Sequence, residues 1–427
     1  MKFLFYFFYN LLLYIALPVL WIGSYFNDKL GGSYTGQKDI TSRVLLFKIK
    51  VKSAPKPIIW LHAASAGEFE QLRPVLNRLA EMDVYIFQTF TSPTIYYKAS
   101  QNKLFDGVSF LPWDLYPRVN RFVTLLEPDL FINTRHDIWP NLLYSLHKKQ
   151  IRNILINANL YQQSKRLLPG LRAVNVMVFD QINHIYTVSD TLKSLLKQIY
   201  TGPIDVIGDS RFDQVHQRSK NNTKMLITQD LIAERRVVIY GSVGDSDLNI
   251  ITTAIAQAPA DIAFMHIIVP HETSERDLIP WETELFRNKI KSIRNSEIEQ
   301  FKGESVIIWD SVGQLADLYK YADLAFIGAG FGAGVHSVTE AAIYHVPCAH
   351  GPKYDILAEA IELVEEGLSK VIHETGDLKY FLNLSGEEIA SLSGKIKSFV
   401  ENRLGATERI LTNEPLTQPL LNNKIQK

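Results

Sequence analysis

The chain has 427 residues, with 45 Lys+Arg against 45 Asp+Glu and a formal net charge of +0. A grip on a nucleic-acid polyanion needs an excess of cationic side chains, so that class is excluded. The single cysteine, Cys348, excludes an intramolecular disulfide, a zinc knuckle and an iron–sulfur cluster, and the 46% hydrophobic share excludes global disorder.

The first element is Phe3 to Phe26, FLFYFFYNLLLYIALPVLWIGSYF, which carries no charge. About 20 apolar residues suffice to cross a bilayer. A cleaved signal peptide needs small residues near its end, where Trp21, Tyr25 and Phe26 stand instead. A retained membrane anchor over residues 1–26 is therefore expected. Asn10 and Pro18 leave open a helix lying in the interface, and a helix docked on the protein's own core is the bland alternative. Beyond it, Lys29, Lys38, Arg43, Lys48, Lys50, Lys52 and Lys56 face only Asp28 and Asp39. By the positive-inside rule this basic collar places the bulk of the protein in the cytoplasm, against an inner-membrane phospholipid surface.

From Pro57 onward short apolar runs alternate with amphipathic stretches. Strands are predicted at Ile58–His62, Val84–Thr89, Leu130–Asn133, Ile154–Asn157, His184–Val188 and Asp205–Gly208. A second series follows at Val237–Gly241, Met265–Val269, Ser305–Trp309 and Leu324–Gly328, with Pro347–Ala349 as a short last strand. Helical patterns lie between them, among them Phe69–Met82, Trp139–Lys149, Asp247–Ala258, Val312–Lys320 and Val338–His345. Such alternation builds parallel, doubly wound sheets. The expected organisation is an α/β protein with two Rossmann-like domains, residues 27–207 and 208–412, and a loose tail over 413–427. Gln214–Thr223 reads as a linker or an early loop of the second half.

Ligands of open α/β sheets bind where strand carboxyl ends meet helix amino ends, so the informative motifs sit just after strands. In Trp60–Leu76 the Ser65-x-x-Glu68 spacing is that of a capping box. The same carboxylate, at a strand–helix junction, can also take a proton from a hydroxyl. In Asp310–Tyr319, the amides of Val312, Gly313 and Gln314 form either a plain turn or a phosphate cradle at a helix start. The densest block is Ala322–Pro352, where Gly328, Gly330, Gly332 and Gly334 precede a helix expected from Ser337. It lacks the P-loop pattern and the full dinucleotide fingerprint. Ser337-x-x-Glu340 is a second capping-box spacing, and Glu340 alternatively binds ribose hydroxyls. Asp245-Ser246-Asp247 has the form of a DxD metal motif but suits a helix start, where acids favour the dipole. His345, Cys348 and His350 read as core packing rather than as metal ligands.

Together these blocks resemble the 3-deoxy-D-manno-octulosonic acid (Kdo) transferase family over nearly the whole chain. The resemblance rests on the N-terminal apolar segment, the HAASAGE block ending at Glu68, Leu111–Asp114, Trp139–Leu142, Asn157-Ala158, Gly208–Asp213, Val269–Glu272, Asp310–Leu315 and Gly351-Pro352. It implies a two-domain GT-B glycosyltransferase that moves Kdo from CMP-Kdo to a lipid A precursor with inversion, without metal or cofactor. By position, Glu68 corresponds to the general base, with Arg211 near the leaving phosphate and Asp137 beside them. Pro270, His271, Val312, Gly313, Gln314, Ser337, Val338, Thr339 and Glu340 correspond to the CMP-binding segments. The chain departs from the family pattern at Arg135, where an acid is usual, at Arg211 for Lys, at Gln314 for Glu, at Ser337 for Asn, and at Pro270–Glu272 for Pro-Arg-His.

Overall fold

The computed structural model describes residues 2–135, 137–160, 164–221, 225–355, 357–415 and 417. It divides into two units, residues 1–214 with 404–427, and residues 215–403. The first contains β1 (Ile58–Ala63), β2 (Tyr85–Phe90), β3 (Gly107–Phe110), β4 (Leu130–Thr134), β5 (Arg152–Ala158), β6 (His184–Thr187) and β7 (Ile204–Val206). These strands pair in parallel in the order β3-β2-β1-β4-β5-β6-β7. The chain winds outward from β1 to β3, returns to β4 beside β1, and winds the other way. The strand order thus reverses between β1 and β4, and their carboxyl ends open a crevice there.

Helices cover the sheet, which is why the central strands are apolar runs without alternation; β1 is buried at all six positions. The helices that shape the first unit begin with α1 (Lys2–Gly23), α2 (Asp28–Gly36), α3 (Ile40–Val51) and α4 (Ala66–Ala80). They continue with α5 (Pro93–Ala99), α6 (Tyr116–Leu126) and α7 (Pro140–Lys148).

The second unit repeats the plan with β8 (Arg236–Val243), β9 (Phe264–Pro270), β10 (Ser292–Arg294), β11 (Val306–Ile308), β12 (Leu324–Ile327), β13 (Cys348–His350) and β14 (Ser369–Val371). Their order is β10-β11-β9-β8-β12-β13-β14, with the reversal between β8 and β12.

Several expectations change. Three strands escaped the sequence reading, β3, β10 and β14, so the strand at Cys348–His350 is followed by another. The stretch expected as a linker from Gln214 continues the helix Ser210–Asn221; Asn222 and Thr223 lie outside the described residues. The units divide after Gln214 rather than after residue 207, and residues from Leu404 onward belong to the first unit. The physical reason is the helix Ala406–Asn413, which buries Ile410 and Leu411 in the first core. Asp213 accepts from the amides of Gly405 and Thr407 at 2.6 and 2.7 Å, and Arg409 Nε donates to Ile207 O. Most of the expected tail, Leu416 and residues 418–427, lies outside the described residues.

Nothing in α1 is buried, so the alternative of a helix packed on its own core fails. By length and composition α1 suffices to cross a membrane. A polar side attaches it to the first unit: Tyr9 Oη donates to Asp114 Oδ2 at 3.0 Å, and Asn10 pairs with Asn141 at 3.1 Å and accepts from Tyr116 N. Phe3, Phe8, Leu12, Ile15, Val19 and Ile22 are each more than half exposed. The basic collar is partly neutralised, since Lys48, Lys50 and Lys56 pair with Glu127, Asp106 and Asp83.

Candidate active site

At the β1/β4 reversal the first unit gathers a carboxylate cluster. Ser65 caps α4, its Oγ accepting from Glu68 N at 3.3 Å. Glu68 Oε2 in return accepts from the amides of Ala64 at 2.6 Å and Ser65 at 3.2 Å. The capping box therefore forms, and it fixes the carboxylate over the end of β1. Glu68 is only 7% exposed. Burial, reinforced by the charge of Asp137, pushes its carboxyl up from the ordinary range; the Ala64 amide, His62 and Arg135 pull it back down.

Asp137 reaches the same place from the loop after β4. Arg135 takes a left-handed turn at φ 63°, and the Asn133 amide donates to Asp137 O, which shapes the loop. Asp137 Oδ2 lies 2.7 Å from His62 Nε2 and accepts from Trp139 Nε1 at 3.0 Å. His62 Nδ1 lies 2.9 Å from the Thr89 hydroxyl. Thr89 Oγ1 is itself fixed by Trp60 Nε1 at 2.8 Å, and Thr91 Oγ1 stands 3.4 Å from His62 Nε2. The sequence-derived residues Glu68 and Asp137 thus belong to one cluster. His62, Thr89 and Trp139 were not singled out, although His62 opens the HAASAGE block and Trp139 precedes Pro140-Asn141.

Arg211, expected with the nucleotide-binding half, lies in the first unit. It follows Asp209, whose Oδ1 accepts from its amide at 2.8 Å, at the start of Ser210–Asn221. That helix start is tied to α4 through Gln71, which donates to Asp209 and whose carbonyl accepts from Ser210 Oγ.

A further buried acid, Asp114, caps α7 by accepting from the amides of Asn141 and Leu142 at 2.9 and 2.8 Å. Burial pushes its carboxyl up to about 7 against these hydrogen bonds. It joins α1 to α7, because its Oδ2 also holds Tyr9.

In the second unit the glycine block lies at the β8/β12 reversal. Gly328 packs where a Cβ would sit 2.3 Å from Ser242 O, so only glycine fits. Asp247 Oδ2 accepts from Gly244 N and Ala329 N at 3.0 Å each, stapling the loop after β8 to the loop after β12. This is the helix-start role expected of the DxD stretch. His271, just after Pro270 at the end of β9, stacks on His336 with ring centroids 4.5 Å apart. Burial, then the neighbouring His271, lowers the His336 imidazole below its ordinary value.

Val312 is exposed and Gly313 is left-handed at φ 81°. Arg218 donates to Gly313 O at 3.2 Å, and Trp309 Nε1 donates to Gln314 Oε1 at 2.9 Å. The helix expected over Val312–Lys320 is the short turn Leu315–Leu318, and that over Val338–His345 is Thr339–Ala342. Neither is long enough to carry much of a macrodipole. Ser337 is not the cap of the latter turn; the cap position is Val338, with no side-chain bond, so the Ser337–Glu340 box does not form. Cys348 and His350 are core groups, His350 Nδ1 lying 3.0 Å from Gly351 O.

Residues 38–214 match the family model described as 3-Deoxy-D-manno-octulosonic-acid transferase (kdotransferase). A 3-deoxy-D-manno-octulosonic acid transferase of Chlamydia trachomatis is 25% identical over 336 residues, covering 73% of this chain and 75% of that protein. One from Haemophilus influenzae is 25% identical over 393 residues, covering 87% and 90%. The crystal structure of Acinetobacter baumannii MurG shares the fold at TM-score 0.56 and 12% identity, covering 83% of this chain and 98% of that one. Over most of its length this chain, whose two Rossmann-like units share the GT-B fold, is thus similar to 3-deoxy-D-manno-octulosonic acid transferases, as its sequence blocks suggest.

Proposed function

We propose that this protein transfers Kdo from CMP-Kdo to a hydroxyl of a lipid A precursor with inversion, at the cytoplasmic face of the inner membrane and without metal. The observation that carries the reading is Glu68, a buried carboxylate with a raised pKa at the topological reversal of the first sheet. A general base works best when its pKa approaches the operating pH, and burial beside Asp137 moves Glu68 that way.

In the proposed step the acceptor oxygen attacks the anomeric carbon of Kdo from the face opposite the phosphate. The carbon–phosphate-oxygen bond breaks, CMP leaves with the electron pair, and the hydroxyl proton passes to Glu68. Asp137 and His62 act as positioning residues that set the charge around Glu68. Arg211, by its place in the family motif, opposes the charge on the leaving phosphate. Pro270, His271, Val312–Gln314 and Ser337–Glu340 hold the nucleotide.

The apolar face of α1 supports membrane attachment. Tyr9 and Asn10 hold the first half of the helix against the first unit, which suits a helix lying in the interface rather than standing across the bilayer. The test is a transfer assay with the purified full chain, CMP-Kdo and a tetraacylated lipid A precursor, read by product mass. A product heavier by one or more Kdo residues is expected. No product despite CMP binding would overturn the reading.

A further inference from the structure

Within the apolar helix α1, the polar groups of Tyr6, Tyr9 and Asn10 fall three and four residues apart and so share one side. A hydroxyl or amide turned to lipid without a partner is costly, and the first unit supplies the partners. Tyr6 Oη accepts from Gln181 Nε2 at 2.8 Å and donates to Pro140 O at 3.3 Å. Tyr9 Oη donates to Asp114 Oδ2 at 3.0 Å. Asn10 and Asn141 form a reciprocal amide pair, Asn10 Nδ2 donating to Asn141 Oδ1 at 3.1 Å and Asn141 Nδ2 donating to Asn10 Oδ1 at 3.0 Å.

This seat lies at the starts of α6 and α7. Neither helix is capped by its own N-cap side chain, Leu115 or Trp139. Asn10 Oδ1 instead accepts from Tyr116 N at the start of α6, and Asp114 accepts from Asn141 N and Leu142 N at the start of α7. Asp114 and Asn141 are buried, so losing Tyr9 or Asn10 leaves a buried polar group short of a partner.

The start of α7 bears directly on the carboxylate cluster. Trp139, its N-cap residue, donates to Asp137 Oδ2, which lies 2.7 Å from His62 Nε2. Burial raises the Asp114 carboxyl and the charge of Asp137 adds to it, so the two acids are electrostatic neighbours. Burial likewise raises Glu68 most, and Asp137 adds to that too.

We propose that Tyr9 and Asn10 are positioning residues: seating α1 on the first unit fixes the start of α7 and the loop that carries Asp137, and through Asp137 the charge around Glu68. The apolar helix is then a structural part of the active site as well as an attachment. The effect on Glu68 rests on its proposed role as the base; the effect on the loop does not.

The test is hydrogen exchange, read by mass spectrometry, on the full chain and its Tyr9→Phe/Asn10→Leu variant in neutral-detergent micelles. Both replacements keep α1 apolar and suited to a helix. Amides of residues 137–148 are expected to exchange about ten-fold faster in the variant, the effect of one or two lost hydrogen bonds, while those of β5 and β6 keep their rates. A second variant, Phe8→Ala/Leu12→Ala, alters side chains of α1 that are mostly exposed and should leave the 137–148 rates as they are. Unchanged exchange in Tyr9→Phe/Asn10→Leu overturns the proposal. So does acceleration spread evenly over the first unit, or an equal effect of Phe8→Ala/Leu12→Ala, since either marks general loosening.

The pH dependence of transfer is the second readout. Loosening Asp137 removes part of what raises Glu68. Of the groups that lower it, the Ala64 amide and His62 belong to β1 and its end, and Arg135 is pinned to β5 by its amide on Ile156 O at 2.9 Å. The acid limb of the kcat/KM profile should therefore move to lower pH in Tyr9→Phe/Asn10→Leu, the sense expected for Asp137→Asn. An unmoved limb despite faster exchange overturns the link to Glu68. No transfer by the unaltered chain sinks the proposed reaction instead, and the exchange comparison still decides whether α1 holds the loop.

Discussion

His62 Nε2 lies 2.7 Å from Asp137 Oδ2, a bond that joins the end of β1 to the loop after β4 across the point where the strand order reverses. The two residues are 75 positions apart, and only the crossover of the sheet makes them neighbours. Burial is the main cause that raises the Glu68 carboxyl, and the two partners of this contact act on it in opposite senses, Asp137 raising it and His62 lowering it.

Glu68→Gln is expected to lower transfer by about 10²–10⁴-fold, the usual share of a general base. Glutamine serves in a capping box as well as glutamate does, so α4 should keep its start. Turnover read by product mass, with CMP-Kdo binding measured by calorimetry, checks this; near-normal turnover would remove Glu68 from the mechanism.

The neighbours of Glu68 should move the acid limb of the pH–rate profile in opposite directions. Asp137 raises the Glu68 pKa, so Asp137→Asn lowers it and shifts the limb to lower pH. Arg135 lowers that pKa, so Arg135→Gln raises it and shifts the limb to higher pH. Profiles of kcat/KM for the two variants, each against the unaltered chain, measure the shifts. Movement in the same direction would show that direct charge coupling does not govern this base.

Asp114 makes stability depend on pH with a definite sign. Its folded pKa, about 7, exceeds the unfolded value, so the protonated form is the one that folding favours. That contribution is fully present below about pH 4 and is lost as pH rises through about 7. Asp114→Asn should flatten this dependence. It should also cost about 1–3 kcal/mol at acid pH, because an amide NH₂ replaces an acceptor facing the α7 amides or Tyr9. Urea midpoints at pH 5 and pH 8 decide it; an unchanged slope in the variant would place the dependence elsewhere.

Gly328→Ala places a methyl 2.3 Å from Ser242 O, a backbone atom that cannot rotate away. We expect a loss of about 1–3 kcal/mol, typical of overpacking, together with a raised KM for CMP-Kdo as the loops after β8 and β12 separate. Thermal melting and donor titration give both numbers. An unaltered melting temperature would mean that the two loops are not packed as tightly as their geometry requires.

The sheet strands were legible because strands covered on both faces are bare apolar runs, as in Ile58–Ala63 and Phe264–Pro270. Those that escaped are three or four residues long and partly polar, such as Ser292–Arg294 and Ser369–Val371 at or near a sheet edge. Gln214 to Asn221 read as a linker because its residues are mostly polar, yet a helix needs only one apolar side, and Phe212 and Val215 supply it.

Two identical spacings show where local information stops. Ser65-x-x-Glu68 and Ser337-x-x-Glu340 read alike as capping boxes, and only the first forms. By itself the sequence determined the alternation of strands and helices, the apolar first segment and the family blocks, because periodicity and composition are local properties. The balance of 45 cations against 45 anions likewise ruled out a polyanion grip. Which charges act together was decided only by the tertiary structure. Three collar lysines are neutralised by distant acids, while Arg118 and Arg121, unremarkable in the sequence, stand beside α1 without an ion-pair partner among the described residues. Electrostatic energy follows distance and burial, and neither is written in the order of residues along the chain.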